Sequence, residues 1–200
     1  IKTIKETPTI SKYIDLPLQH SEHRILHAMN RKGSKQEYLD LIQKLRDEIP
    51  DMVIRTTFIS GFPSETEEEH EELLDFIETA GFDFGGVFMY SPEESTRAYS
   101  MQGQIDDETK LMRAQEVKDL MDQIGFAKNA ARIGQEAEII VEGYEKLEDG
   151  SLEVLGRAWF QAPDTDGLVH VPHVEAEIGD RIYVRFTDAF AYDLLGEVVE

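Results

Sequence analysis

The residues with the clearest chemical potential stand where an apolar segment, 53–60, gives way to a strongly acidic one. They are Gly61, Phe62 and Pro63. Glycine lets the backbone approach a planar ligand, proline fixes the turn, and the predicted helix that follows offers unpaired backbone N–H groups. Because ligands of α/β sheets bind where strands end and helices begin, these residues form a candidate cofactor-binding turn. An ordinary strand-to-helix turn is the alternative that the local sequence leaves open.

A run of carboxylates surrounds the start of the following helix. Its members are Glu65, Glu67, Glu68, Glu69, Glu71 and Glu72. So many negative charges repel a phosphate, and we expect them to complement the positive end of the helix dipole instead. Ser64 and Glu67 have the spacing of a capping box, which predicts that the helix begins directly after Ser64. The acidic run therefore argues against a phosphate-binding turn.

Two polar side chains in or beside strand segments are further candidates. Arg55 has mostly apolar neighbours, and an arginine that faces a barrel lumen must find an anion such as a ligand carboxylate. A structural salt bridge or a solvent-facing edge is the alternative. Gln19 follows Pro17 and Leu18, and a neutral donor and acceptor at the end of a strand suits recognition of a ribose or an amino acid.

The spacing of the histidines raises the question of a metal site. His23 and His27 share a face if their segment is helical, with His20 nearby, while His170 and His173 lie close together further along. Neither group has a cysteine, and neither has a carboxylate at an evident metal-ligand spacing. The sequence therefore predicts no metal site.

Composition limits the possible functions further. The 200 residues contain no cysteine, which excludes disulfides, cysteine nucleophiles and cysteine-held iron–sulfur clusters within them. The net charge of −21 disfavours phosphate backbones and favours a basic partner, although such charge also serves solubility. No apolar run reaches the roughly 18 residues of a membrane span, and no signal-peptide pattern opens the chain. We therefore expect a cytoplasmic protein without membrane association.

The first two thirds of the chain alternate strand and helix signals. Strands are predicted at 13–18, 53–60 and 84–90, and helices after Ser34, after Ser64 and over about 106–132. This order predicts parallel strands covered by helices. Three parallel strands leave edges uncovered, so residues 1–132 are expected to be part of a larger structure.

The remaining residues, 133–200, are predicted to form a separate small domain. Five short strands are predicted, at 138–142, 152–159, 168–171, 181–187 and 194–199. Five short strands in so few residues favour a small closed β-barrel related to the OB-fold. We therefore place a domain boundary near Arg132.

Four motifs, in order along the chain, resemble the radical S-adenosylmethionine (SAM) methylthiotransferases. They are Tyr-Ile-Asp-Leu-Pro-Leu-Gln-His-Ser at 13–21, Arg-Ile-Leu-His-Ala-Met-Asn-Arg at 24–31, Ile-Arg-Thr-Thr-Phe-Ile-Ser-Gly-Phe-Pro-Ser-Glu-Thr at 54–66 and Tyr-Ser-Pro-Glu-Glu at 90–94. The segments 156–167 and 193–197 are similar to the TRAM domain that closes those enzymes. The resemblance implies the C-terminal half of an open α/β radical SAM barrel, with three parallel strands and their helices, followed by a small all-β, OB-like TRAM barrel.

The resemblance is greatest to the RimO-type branch, which adds a methylthio group to the β-carbon of an aspartate in ribosomal protein S-twelve. The Leu-Gln-His and Ile-Arg-Thr-Thr-Phe segments favour this branch over the tRNA-modifying MiaB type. From Ile133 onward the chain has 4 basic and 16 acidic residues, which suits a basic ribosomal protein as partner better than a nucleic acid. A fragment of a tRNA methylthiotransferase, and a non-catalytic module that binds a basic protein, remain the alternatives.

The cofactors that the resemblance implies for the full-length enzyme are SAM and two 4Fe–4S clusters held by cysteines. Because this chain has no cysteine, we expect a fragment that is inactive alone, binds no cluster and contains no catalytic residue. The implied cofactor-binding residues are Gln19 and Arg55 at the ribose or methionine moiety, Gly61, Phe62 and Pro63 beside the adenine, and Tyr90 in the lumen. Ser64 stands where the family pattern has glycine, and we expect it to cap the helix.

Overall fold

The computed structural model describes residues 1–199 and divides into two compact units, Ile1–Met121 and Asp122–Glu200. The elements of the first unit are α1 Lys2–Glu6, β1 Tyr13–Gln19, α2 His23–Ala28, α3 Lys35–Glu48, β2 Val53–Ser60, α4 Glu67–Ala80, β3 Phe84–Met89 and a 3-10 turn, Arg97–Ser100. Helix α5, Asp107–Ala130, leads into β4 Glu136–Lys146, β5 Leu152–Ala158, β6 Val169–Pro172, β7 Arg181–Ala189 and β8 Leu194–Val198. In the described part of the chain, no helix has the length and apolarity to cross a lipid bilayer.

The first unit is built on one parallel sheet with the strand order β1-β2-β3. Its core contains three fully buried phenylalanines, Phe58 of β2, Phe76 of α4 and Phe82. Their rings meet edge to face or tilted toward that geometry, with centroids 5.7 to 6.3 Å apart. Such aromatic contacts favour one packing arrangement and fix the ends of the strands. The predicted set of three parallel strands with helices is confirmed.

The other residues of β2 lie on a more open face of the sheet. Arg55, Thr57 and Ile59 are only partly buried there, in alternation with the buried Ile54, Thr56, Phe58 and Ser60. Phe88 of β3, which is paired with Ile59, is 66% exposed.

The second unit contains a closed five-stranded barrel with the strand order β4-β5-β6-β8-β7. All neighbouring strands are antiparallel except β6 and β8. The core consists of inward-facing apolar side chains, among them Ile139, Val154, Val171, Val184 and Phe186, which are at most 2% exposed. Closure leaves no strand edge unpaired. The predicted small closed barrel of five short strands is confirmed.

Local capping explains where the longer helices begin. The predicted N-cap of α3 is confirmed, because the Ser34 side chain accepts a hydrogen bond from the Glu37 backbone N–H. The capping box predicted for α4 at Ser64 and Glu67 is wrong. Thr66 is the N-cap, and it exchanges reciprocal hydrogen bonds with Glu69. The helix therefore begins two residues later than the Ser64 prediction required.

The helix α5 contains the point at which the two compact units divide, between Met121 and Asp122. The boundary near Arg132 was inferred from the change from helix to strand, and it stays a prediction. In the structure that change falls between Ala130 and Glu136.

Candidate functional site

A cleft of about 470 Å³ opens at the C-terminal end of the parallel sheet. Its lining comes from the end of β1, the end of β2, the segments after α2 and β3, and the 3-10 turn. The lining residues are Gln19, Ala28, Met29, Asn30, Arg31, Ile59, Phe62, Tyr90, Thr96, Arg97 and Ala98. This volume and position are typical of a site for a small molecule of nucleoside size.

Two lining residues have a left-handed backbone although neither is glycine. The φ angle is 73° at Gln19 and 59° at Asn30. The strand register of β1 against β2 also shifts between Leu16 and Gln19, and Gln19 is paired with Phe58 after the shift. A left-handed backbone costs a non-glycine residue about 1 kcal/mol or more, and such strained residues are concentrated at functional sites. Gln19 therefore lines the cleft at an irregular end of β1.

The apolar part of the cleft is formed by Phe62 and Tyr90. Their rings pack edge to face with centroids 5.2 Å apart, on the fully buried side chain of Ile25. The Tyr90 hydroxyl is buried, and within residues 1–199 it has no hydrogen-bond partner. Because a buried hydroxyl without a partner costs free energy, a ligand atom that accepts its hydrogen bond would be favoured.

Two arginines give the cleft a positive side. Arg31 Nη2 donates a hydrogen bond of 2.7 Å to the carbonyl oxygen of Pro17, which orients its guanidinium group at the lining. Arg97 lies in the 3-10 turn on the lining as well. Neither arginine is among the cofactor-binding residues predicted from the sequence. Arg31 is the last residue of the motif at 24–31, which could have marked it as a candidate, whereas Arg97 lies in none of the four motifs.

The turn Gly61-Phe62-Pro63 is held by a buried carboxylate. The backbone N–H groups of Gly61 and Phe62 both donate to Glu65 Oε2, at 2.9 and 3.2 Å. The Glu65 side chain is fully withdrawn from solvent. The expected role of Glu65 at the helix dipole is therefore wrong: this carboxylate precedes α4 and fixes the conformation of the turn.

Three basic side chains surround the same carboxylate. Arg113 of α5 donates through Nη1 to Glu65 Oε1 and to the Glu65 carbonyl, both at 3.0 Å. His20 Nε2 lies 3.6 Å from Glu65 Oε2, and His70 Nδ1 lies 3.9 Å from Glu65 Oε1. Burial alone would raise the pKa of Glu65, but His20, Arg113 and the Phe62 backbone N–H together hold that pKa below its usual value. The carboxylate is therefore ionised at neutral pH.

Two positions in the turn have the left-handed backbone that favours glycine. Gly61 has φ of 76°, and a Cβ atom there would lie 2.5 Å from Lys110 Cγ. Ser64 has φ of 65°, and its hydroxyl and carbonyl accept hydrogen bonds from Arg24 at 3.0 and 2.6 Å. Ser64 stands where the family pattern has glycine, but the expectation that it caps the helix is wrong, since Thr66 is the cap.

The six predicted cofactor-binding residues are not all brought together. Gln19, Phe62 and Tyr90 line the cleft, and Gly61 and Pro63 flank Phe62 in the turn. Arg55 is not among the lining residues. It pairs with Asp15 across β1 and β2 at 3.0 Å and contacts the Thr57 hydroxyl at 3.4 Å. The salt bridge that the sequence left open as an alternative is therefore present, and a contact between Arg55 and a cofactor stays a prediction.

Comparisons with protein families agree with the two units. The model of the radical SAM superfamily matches residues 1–77, and the model of the TRAM domain matches residues 133–199. Among solved structures, coproporphyrinogen III oxidase from Escherichia coli, described as a radical SAM enzyme, aligns with 88% of this chain and 41% of its own. The TM-score is 0.51 at 16% identity, so this likeness concerns the fold alone. The chain therefore combines a segment that matches the radical SAM superfamily with a segment that matches the TRAM domain.

Curated relatives narrow the similarity. A ribosomal protein uS12 methylthiotransferase RimO from Bdellovibrio bacteriovorus is 42% identical over 199 residues, which is 100% of this chain and 43% of that protein. The protein of the same name from Desulforamulus reducens is 46% identical over 201 residues, 100% of this chain and 45% of that protein. The chain spans less than half the length of the curated relatives that it matches.

Proposed function

We propose that this chain is the part of a RimO-type radical SAM methylthiotransferase that completes the cofactor site. The observation that carries the proposal is the cleft at the C-terminal end of the sheet, with its unpaired Tyr90 hydroxyl and its two arginines. The similarity to methylthiotransferases over the whole chain supports it. The substrate of the whole protein is then an aspartate of ribosomal protein uS12, and the whole protein acts in the cytoplasm.

The residues of the cleft fit S-adenosylmethionine. Phe62 offers an apolar edge to the adenine, next to the backbone of Gly61 and Pro63. The Tyr90 hydroxyl and the Gln19 amide supply hydrogen bonds to ribose or purine atoms. Arg31 and Arg97 neutralise the carboxylate of the methionine part. Bound there, S-adenosylmethionine supplies the radical chemistry and methyl group of the reaction, and the cysteines for its iron–sulfur cluster belong to the rest of the whole protein.

The charge of the barrel supports a protein substrate. The part of the chain from Ile133 onward has 4 basic and 16 acidic residues, and all four basic residues lie on the β-strands. Three of them, Arg157, Arg181 and Arg185, are already paired with glutamates. A surface of this kind repels a phosphate backbone and attracts a basic polypeptide. A basic ribosomal protein therefore fits it better than a tRNA does.

The proposal is tested in the whole protein, with its clusters restored, by paired binding and product measurements. Tyr90→Phe removes only the hydroxyl, and Gln19→Asn shortens the amide while it still tolerates the left-handed backbone. Each is expected to weaken binding of S-adenosylmethionine about tenfold, the worth of one hydrogen bond to a buried group. Tyr99→Phe is the matched control, because Tyr99 is 48% exposed and not on the lining.

Mass spectrometry of the products decides the substrate. A methylthio group on the aspartate of uS12, formed more slowly by Tyr90→Phe than by Tyr99→Phe, is the expected result. Unchanged binding of S-adenosylmethionine in both cleft variants would contradict the proposal that the cleft binds this cofactor. Modification of tRNA in place of the ribosomal protein would overturn the proposed substrate but not the proposed cofactor site.

A further inference from the structure

Three ligand-type side chains meet on the outer surface of the barrel. Glu145 of β4, Glu153 of β5 and His170 of β6 each direct one ligand atom to a common region, in which these atoms lie within 4.8 Å of one another. The distance from His170 Nδ1 to Glu153 Oε2 is 2.8 Å. The group is far from the cleft in sequence, and the cofactor proposal does not use it.

A β-bulge brings Glu145 to this place. The register of β4 against β5 shifts between Val141 and Gly143, after which Glu145 is paired directly with Glu153. Side chains alternate between the two faces of a strand, so one extra residue moves every later side chain to the opposite face. Without the bulge, β4 would present a different residue opposite Glu153. The two carboxylates therefore lie opposite each other because β4 is irregular, and the spacing of residues in the sequence does not predict this pairing.

The two carboxylates of the group lie close together and share one imidazole as their neighbour. Glu153 is only 9% exposed, and Glu145 is directly opposite it on the neighbouring strand. Like charges in directly opposed positions destabilise a sheet. Within residues 1–199 no lysine or arginine forms an ion pair with Glu145 or Glu153, and the side chain of Glu153 pairs with the imidazole of His170. This crowding arises in a unit that is itself strongly acidic.

We propose that Glu145, Glu153 and His170 bind a divalent transition-metal ion of the zinc class. One imidazole nitrogen and two carboxylate oxygens form a donor set that Zn²⁺ accepts, with water in the remaining position. Two donors at about 2.1 Å from one ion stand about 3.0 to 3.4 Å apart. The separation of His170 and Glu153 is already close to that range, and the exposed Glu145 side chain closes the remaining distance by a change of rotamer.

The bound ion stabilises the barrel. Its three ligands come from three consecutive strands of the sheet, β4, β5 and β6, so that the ion connects them outside their hydrogen-bond ladders. An ion that binds only the folded chain adds its binding free energy to folding. The expected effect is a higher melting temperature of the chain when Zn²⁺ is added.

The experiment is a titration of the 200-residue chain with Zn²⁺ after treatment with a chelator, followed by calorimetry. The chain has no cysteine to compete for the ion. One equivalent is expected to bind, with at least tenfold weaker affinity in Glu153→Gln and in His170→Gln. Glu145→Gln is expected to give a smaller loss, because that side chain is exposed. His27→Asn is the matched control: it removes one histidine of the exposed pair His23 and His27, whose ring centroids are 6.4 Å apart.

A second readout covers variants that fold poorly. In the unaltered chain, substoichiometric Mn²⁺ is expected to broaden the NMR ring signals of His170 before those of the other histidines. The proposal is overturned by the absence of a one-to-one Zn²⁺ complex, by equal affinity in His170→Gln and the unaltered chain, or by loss of the complex in His27→Asn. Any of these results would leave His170 and Glu153 as a simple ion pair.

Discussion

One carboxylate of the first unit and three carboxylates of the second have opposite roles. In Ile1–Met121 the Glu65 carboxylate is withdrawn from solvent and holds the turn beside the cleft. In Asp122–Glu200, Glu136, Glu138 and Glu142 lie on the outside of the barrel, each with an arginine of a neighbouring strand. The first arrangement fixes a backbone shape, whereas the second leaves the barrel dependent on its apolar core.

The buried carboxylate and the exposed ion pairs differ in whether water can replace a lost partner. Water replaces a lost partner at an exposed pair, so such pairs contribute little to stability. A buried charge has no such replacement, and loss of one partner leaves the other charge in a low dielectric. A buried carboxylate is therefore a costly way to gain stability, but an exact way to position the backbone N–H groups of Gly61 and Phe62. Its presence beside the cleft agrees with a site that must keep its shape.

Removal of the buried charge is the strongest test of this contrast. Glu65→Gln keeps the shape of the side chain, but it leaves the Arg113 guanidinium without its buried counter-charge. We expect the free energy of unfolding to fall by about 3 to 5 kcal/mol, measured by urea denaturation. Glu71→Gln, at an exposed position of α4, is the control and is expected to have no measurable effect. A loss below about 1 kcal/mol in Glu65→Gln would mean that the charge is not what holds the turn.

Glycine substitutions compare the backbone of the two units. In Gly61→Ala the new Cβ meets the buried Lys110 side chain in a left-handed backbone, and a loss of about 2 kcal/mol in unfolding free energy is expected. In the barrel, Gly143→Ala places its Cβ in open space at a residue without positive φ, so no loss is expected. Thermal denaturation of both variants measures the contrast. Equal losses would show that the turn is no more constrained than the strand.

The acid limit of stability gives an independent measure of Glu65. Its pKa is lower in the folded state than in the unfolded chain, where a glutamate titrates near about 4.3. The unfolded chain therefore binds the proton first, and the stabilisation by ionised Glu65 is complete well above that pH. It is lost as the pH falls from there through the folded-state pKa. The free energy of unfolding is measured by urea denaturation at pH 7 and at pH 3.5. Between these two pH values it is expected to fall less in Glu65→Gln than in the unaltered chain. Equal losses would contradict the lowered pKa.

The sequence was sufficient for the architecture because hydrophobic periodicity and turn residues act locally. The segment 53–60 was predicted with the exact bounds of β2, and the five strands of the barrel were all identified. The role of Glu65 could not be predicted, because it depends on Arg113 and His20, which approach it only in the folded unit. A single acidic residue among six carries no local sign that it alone is buried.

Arg55 is a second residue whose partner in the fold could not be predicted from the sequence. The sequence required an anion for an arginine in an apolar strand, and this part of the interpretation was correct. Its partner is Asp15 on the neighbouring strand, and that choice depends on the parallel register, which pairs Asp15 directly with Arg55. Register is set by long-range packing, so one chain without its fold cannot distinguish a ligand carboxylate from this aspartate.

The smallest expected effect comes from an ion pair of the barrel. In Arg157→Gln the partner Glu142 keeps contact with water, since its side chain is 33% exposed. The unfolding free energy is expected to fall by about 0.2 to 1 kcal/mol and to depend on salt less than in the unaltered chain. Urea denaturation at two salt concentrations measures both quantities. A loss as large as that of Glu65→Gln would remove the contrast between the units, because the barrel would then also depend on a charge that water cannot replace.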